Sequence, residues 1–210
     1  MNPTVTFGLP GGLRAEAAML YWQAFGGKLG LVLGPEPKAL VFLERVIRAD
    51  HVFIAAEGGT LLGLVGFKTP RGSFAGGGMA DLVAVYGWLG ALWRAGLLEL
   101  LNRDIDNDRF LLDGICVTQA ARGRGIGAAL LAAIDVEARH RGYPSVRLDV
   151  IGDNWRARAL YERQGFVAVR TQRLGLLRLV FGFATSITMV KALDPSRSPS
   201  GAGPGASSRA

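Results

Sequence analysis

The sequence predicts one α/β domain followed by a short tail, and three stretches predict it. Residues 111–117 read as an apolar strand that runs into the string Arg122-Gly123-Arg124-Gly125-Ile126-Gly127, and an amphipathic helix leaves that string. Two apolar runs, 51–56 and 60–67, flank Glu57-Gly58-Gly59 as the strands of a β-hairpin do. Residues 145–150 read as a strand, followed by a short helix capped by Asp153 or Asn154 and reaching Gln164, which Gly165 ends. With 210 residues, 50% of them hydrophobic, the chain has enough for one substantial core and too little for two full-sized domains.

The elements follow in order. Residues 4–9 form an opening strand, and 13–25 carry a helical pattern in which Ala17, Leu20, Tyr21 and Phe25 are spaced for burial. A second helix follows Pro37, with Ala39, Leu40, Phe42, Leu43, Val46 and Ile47 apolar and Asp50 near its end. Within the hairpin, Gly63 and Gly66 mark bends or close packing. Residues 70–108 read as an insertion: a glycine-rich lead, an apolar helix at 79–101 and a charged, solvated loop at 102–108. Asp81, Arg94 and Glu99 interrupt the apolar run, leaving less than the ~20 residues needed to cross hydrocarbon. Packing on the core or on a second copy in a homodimer is expected of this helix, ahead of a pocket lid or peripheral membrane contact. After the glycine string, Ile126, Leu130, Leu131, Ile134 and Ala138 share a helical face. That helix ends near Arg139-His140-Arg141-Gly142, where basic groups suit its negative end and Gly142 takes a left-handed cap. Strands at 166–170 and 180–190 complete the domain, 1–193. Beyond it, 194–210 are dominated by Pro, Ser, Gly and Ala, the composition of a disordered tail.

The formal charge of +7 suits an anionic ligand. Because the arginines gather around the glycine string rather than in a separate basic block, a small-molecule anion is expected and nucleic acid is not. A helix start leaves about four N–H groups without intrahelical partners and carries a positive dipole end, so phosphate oxygens suit Gly125 and Gly127. The single Cys116 makes no intramolecular disulfide, and no Cys/His spacing suggests zinc; a cytoplasmic protein without a metal is expected. Residues 1–7 lack the basic start and apolar core of a signal peptide.

Read together, Ile115-Cys116-Val117, the 122–127 string, and Asn154 followed by Ala157, Tyr161, Gly165 and Phe166 resemble the GNAT superfamily of acyl-CoA-dependent N-acetyltransferases. The resemblance covers roughly 110–170 and is specific in spacing and order; arginine, two residues, glycine, any residue and glycine matches the family's pyrophosphate loop. It implies a mixed, twisted, mainly antiparallel sheet flanked by helices, whose central strands splay to admit the pantetheine arm of acetyl-CoA. Residues 115–117 would pair with that arm through main-chain groups. The N–H groups of Arg122, Gly123, Arg124, Gly125, Ile126, Gly127 and Ala128 would hold the pyrophosphate, with charge from Arg122, Arg124 or Arg158. Asn154 would orient the donor or cap its helix.

Tyr161 stands where the family places the group that protonates the departing thiolate. Its phenol, with a reference pKa of ~10 against ~8.5 for a thiol, is protonated near neutral pH and can donate. Family members often carry a carboxylate on the strand before the loop, and Asp113 is the only acid there, a candidate base or substrate-orienting group. By strand alternation Leu111, Asp113, Ile115 and Val117 share a face. Asp149, on the neighbouring strand, reads as a structural polar residue. Cys116 reads as a buried apolar-like thiol, and His51 and His140 as structural or exposed. The expected activity is direct acetyl transfer from acetyl-CoA to a primary amine of a small molecule or peptide. The alternative is a noncatalytic acyl-CoA-binding or sensing module that uses the apolar insertion for partner or membrane contact.

Overall fold

The computed structural model describes residues 3–101, 108–173, 175 and 182–193, excluding the side chains of 28, 100 and 101. The loop expected at 102–108 lies, apart from Asp108, outside these residues, and so does the tail expected from Asp194 onward. In chain order the elements are β1 (Thr4–Phe7), α1 (Arg14–Leu33), α2 (Glu36–Val46), β2 (Val52–Glu57), β3 (Thr60–Thr69), β4 (Gly72–Ser73), α3 (Met79–Leu101), β5 (Phe110–Val117), α4 (Ile126–His140), β6 (Ser145–Ile151), α5 (Trp155–Arg163), β7 (Val167–Arg173) and β8 (Thr185–Ala192). The strands form one eight-stranded sheet in the order β1-β2-β3-β5-β6-β8-β7, with β4 on the edge of β3. Every pairing is antiparallel except β5 with β6.

Two helical layers cover the sheet. On one face α4 buries Ile126, Leu130, Leu131, Ile134 and Ala138, the stripe its sequence spaces for burial, against Phe67, Phe110, Val146, Leu148 and Val150 of the strands. Tyr161 of α5 joins the same core. Gly142 ends α4 at φ 78°, and the Tyr143 N–H closes back on the Ala138 carbonyl at 2.9 Å. On the other face Leu20 and Tyr21 of α1 pack with Leu43 of α2 against Ile54, Leu64 and Cys116.

Helix α1 runs on past Phe25 and through Gly26, Gly27 and Gly30 to Leu33. Each interior glycine costs a helix about 1 kcal/mol relative to alanine. The extension offsets that cost by burying Val32 and Leu33 completely against α2 and α3. Helix α3 is two segments joined at Gly87, whose φ of 72° and ψ of 170° are open only to glycine. Its Leu82 and Ala91 are buried against α1 and α2, while Trp88, Leu89, Leu92 and Trp93 stay exposed. Among the described residues no helix is long and apolar enough to cross a membrane.

Candidate active site

Strands β5 and β6 pair only at Phe110↔Val146 and Leu111↔Arg147, then part company. The Thr118 N–H donates to the Leu62 carbonyl at 2.8 Å, so by alternation residues 116 and 118 turn their main chain toward β3. Ile115 and Val117 therefore present theirs to the gap between β5 and β6. A cavity of about 1010 Å³ passes through that gap, from α4 and α5 on one face of the sheet to α1 on the other.

The α4 end of the cavity is the glycine string. Gly123 and Gly125 have φ of 80° and 78°, left-handed values that a side chain would strain, and Gly125 is the N-cap of α4. The first intrahelical bond runs from the Ala129 N–H to the Gly125 carbonyl at 3.0 Å. Ile126, Gly127 and Ala128 thus have N–H groups with no partner four residues back, at the positive end of the helix and on the cavity wall. Gly127 has a second reason to be glycine: a Cβ there would lie 2.9 Å from Leu160 of α5, so its absence lets the two helices close. Arg122 lines the cavity. Arg124 and Arg158, expected to add charge, lie off its wall; Arg124 pairs with Glu57 of the hairpin at 2.9 Å and Arg158 with Glu162 one turn on at 2.8 Å. Arg156 and Arg163 face the cavity instead, and Asn154 both lines it and caps α5 by accepting the Ala157 N–H at 3.2 Å.

Tyr161, only 7% exposed, stands on the wall beside Leu160. Burial pushes its phenol up to about 12, with nearby Cys116 adding to the effect. Cys116 also borders the cavity, packed in the core beneath α1, where burial drives its thiol well above the ordinary range and leaves it a neutral, unreactive group.

Asp113 departs from the face expected of it. In the β3–β5 register Gly66 pairs with Gly114 and Phe67 with Leu112, so Asp113 is the extra residue of a β-bulge. The bulge resets the alternation: Phe110, Leu112, Ile115 and Val117 pack toward α4, whereas Gly114 abuts Tyr21 and Phe25 of α1. Asp113 goes with the α1 side, where its carboxylate accepts the Ala75 N–H at 3.2 Å. Burial raises its pKa, against lowering contributions from the Ala75 N–H and Lys68. It does not line the cavity.

The α1 end is walled by Leu20, Gln23, Ala24 and Phe25 of α1 and by Asp149 and Ile151 of β6. Sequence reasoning read Leu20 and Phe25 as buried residues of a core helix and Asp149 as structural. Gln23, the polar residue between Trp22 and Ala24, was the available signal on α1. On α5 the signal was spacing: Arg156, Leu160 and Arg163 share a helical face, while Arg158 is matched to Glu162 by its own four-residue step.

A model of the acetyltransferase (GNAT) family matches residues 18–166. Mycothiol acetyltransferases of Jonesia denitrificans and Beutenbergia cavernae are 48% identical over 50 residues and 54% over 59. Those matches cover 24% and 27% of this chain and only 16% and 20% of the relatives' own length. An N-acetyltransferase from Staphylococcus aureus superposes with a TM-score of 0.59 at 15% identity, over 89% of this chain and 99% of that one, which is likeness of fold. With a family model spanning β2 to β6, the bulge, the glycine string and the capped α5, the chain belongs to the GNAT acetyltransferase family.

Proposed function

We propose that this protein transfers the acetyl group of acetyl-CoA directly to a primary amine. The observation that carries the reading is the cavity itself, which joins an anion-binding helix start, an unpaired stretch of strand and a buried tyrosine in one passage through the sheet. The N–H groups of Ile126, Gly127 and Ala128 suit a pyrophosphate, with Arg122, Arg156 and Arg163 supplying charge. The main chain of Ile115 and Val117 suits the amide groups of a pantetheine arm lying in the gap as a strand would. Acetyl-CoA supplies the acetyl group as a thioester. In the step itself the neutral amine nitrogen forms a bond to the thioester carbon, the carbon–sulfur bond breaks, and Tyr161 gives its proton to the departing sulfur. The proton that the nitrogen sheds restores the phenol through water. Asp113 is offered as the group that, before the attack, takes the extra proton of the acceptor's ammonium form and leaves the neutral amine; burial makes it a stronger base than an ordinary carboxylate, and its place behind Tyr21 and Phe25 makes the action indirect.

The relatives named mycothiol acetyltransferase support acetyl transfer and leave the acceptor open, since so little of their length is shared. A buried free cysteine fits a reducing compartment such as the cytoplasm. The exposed apolar face of α3 favours a second reading, a noncatalytic acyl-CoA-binding module that recruits a partner. The two separate in one experiment: acetyl-CoA is incubated with a panel of small amines, peptides and antibiotics, and both products are followed by mass spectrometry. Amine-dependent release of CoA with an acetylated acceptor is expected. Tight acetyl-CoA binding with no transfer across the panel favours the binding module.

A further inference from the structure

We propose that Asp149 receives the ammonium group of the acceptor, and that this acceptor is a primary amine carried on an apolar group with no carboxylate beside it. The inference rests on the acetyl-transfer reading and names its substrate class.

The cavity is electrically lopsided. Its three lining cations, Arg122, Arg156 and Arg163, belong to the glycine string and α5, the face where an anionic donor fits. Its one lining acid among the described residues is Asp149, and β6 presents that residue to the opposite face. The alternation along β6 fixes this: Val146, Leu148 and Val150 pack into the α4 core, so Asp149 and Ile151 point toward α1. The two charged partners of a transfer reaction would thus enter from opposite faces, each drawn to the end of opposite charge and repelled from the end of its own sign.

Asp149 is positioned to bind rather than only to brace. Thr188, its cross-strand partner on β8, donates a hydroxyl hydrogen bond to one carboxylate oxygen at 2.5 Å, which fixes the rotamer. The other oxygen makes one long ion pair, 3.4 Å, with the guanidinium of Arg147, which is buried off the cavity wall. Its side chain remains 44% exposed although it stands on a cavity wall. Opposite it α1 offers Leu20, Ala24 and Phe25, with Gln23 as the one polar group, a wall that suits a hydrocarbon or aromatic substituent. An amine flanked by its own carboxylate would bring like charges together at Asp149.

The test uses phenylalaninamide and free phenylalanine as acceptors with acetyl-CoA, in the wild-type protein and in Asp149→Asn and Asp149→Glu. Asn keeps an oxygen for the Thr188 hydroxyl and removes the charge. The wild type is expected to favour the amide by about tenfold or more in kcat/KM, the size of a like-charge penalty in a partly solvated site. Asp149→Asn is expected to lose about 10–100-fold on the amide, the range for one charged hydrogen bond, with the preference collapsing toward unity. Asp149→Glu restores part of the preference, and acetyl-CoA affinity stays the same in both variants. Equal wild-type rates on the two acceptors overturn the proposal even if no variant folds. So does an undiminished preference in an Asp149→Asn protein that binds acetyl-CoA normally. No transfer to either compound, with transfer to other amines in a broad panel, overturns the acceptor class and leaves acetyl transfer standing; no transfer to any amine removes both.

Discussion

At the scale of single residues, Tyr161 is the buried phenol on the cavity wall. A phenol shielded from water cannot solvate its phenolate, which is why its pKa rises to about 12. The shift makes it a reservoir of one proton throughout the neutral range. Tyr161→Phe is expected to lower kcat by about 10²–10⁴, the usual contribution of a positioned general acid, with acetyl-CoA affinity unchanged by equilibrium titration. The same shift has a stability consequence of known sign. The folded-state pKa lies above the unfolded value of ~10, so the contribution of the neutral phenol is whole below about pH 10 and is lost as pH rises toward about 12. Urea unfolding across that window is expected to show a steeper alkaline fall for the wild type than for Tyr161→Phe. Asp113→Asn, one layer behind the wall, is expected to lower kcat with KM for acetyl-CoA unmoved, the pattern of a group that acts only after the donor is bound.

Elements supply the second scale, and the junction of α4 with α5 is the most constrained. Gly125→Ala places a Cβ at φ 78°, a strain of about 1 kcal/mol, and is expected to reduce both the urea-unfolding free energy and the acetyl-CoA affinity. Gly127→Ala acts differently, by driving its new methyl to 2.9 Å from Leu160. Calorimetry should therefore find Gly127→Ala partly rescued by Leu160→Ala, whereas Gly125→Ala gains nothing from that second change. Helix α4 is also tied to the sheet at its far side, where Lys191 of β8 meets the buried Asp135 at 2.5 Å. Lys191→Met leaves that carboxylate without its cation and is expected to cost about 1–3 kcal/mol in chemical unfolding. The i,i+4 pair of Arg158 and Glu162, both largely in solvent, is by contrast expected to be nearly silent.

At the scale of the whole molecule, the gap between β5 and β6 makes the sheet discontinuous at its centre. Six antiparallel pairings hold the two flanks, and only two residue pairs bridge them. A donor lying in the gap would restore the missing pairing, which would link its binding to the stability of the entire sheet. Saturating acetyl-CoA at about a hundred times its Kd is expected to add roughly 2.7 kcal/mol, read as a higher Tm. Hydrogen exchange should slow most at the amides of Ile115 and Val117, the two that face the gap, and little at Cys116, which already faces β3.

The local chemistry of turns and caps was legible without coordinates because it is written in neighbouring residues. The hairpin around Gly58 and Gly59, the helix start at Gly125, the left-handed Gly142, the cap at Asp153 or Asn154 and the apolar stripe of α4 each depend on residues within a few positions. That is also why the glycine-rich turn into α4 could be read from residues 122–127. What needed the third dimension was parity and company. One extra residue at Asp113 moves every side chain after it to the other face of β5, and a register shift against β3 leaves no mark in the strand's own composition. Asp149 reads as structural in sequence, and its place on the cavity wall depends on α1 residues more than a hundred positions away along the chain. Helix α1 outran its glycines because burial of Val32 and Leu33 outweighed backbone propensity, a balance set by α2 and α3 rather than by α1 itself. The sequence by itself determined the family fold and the glycine-rich start of α4. Only tertiary packing decided which acid meets the cavity and from which face of the sheet an amine would enter.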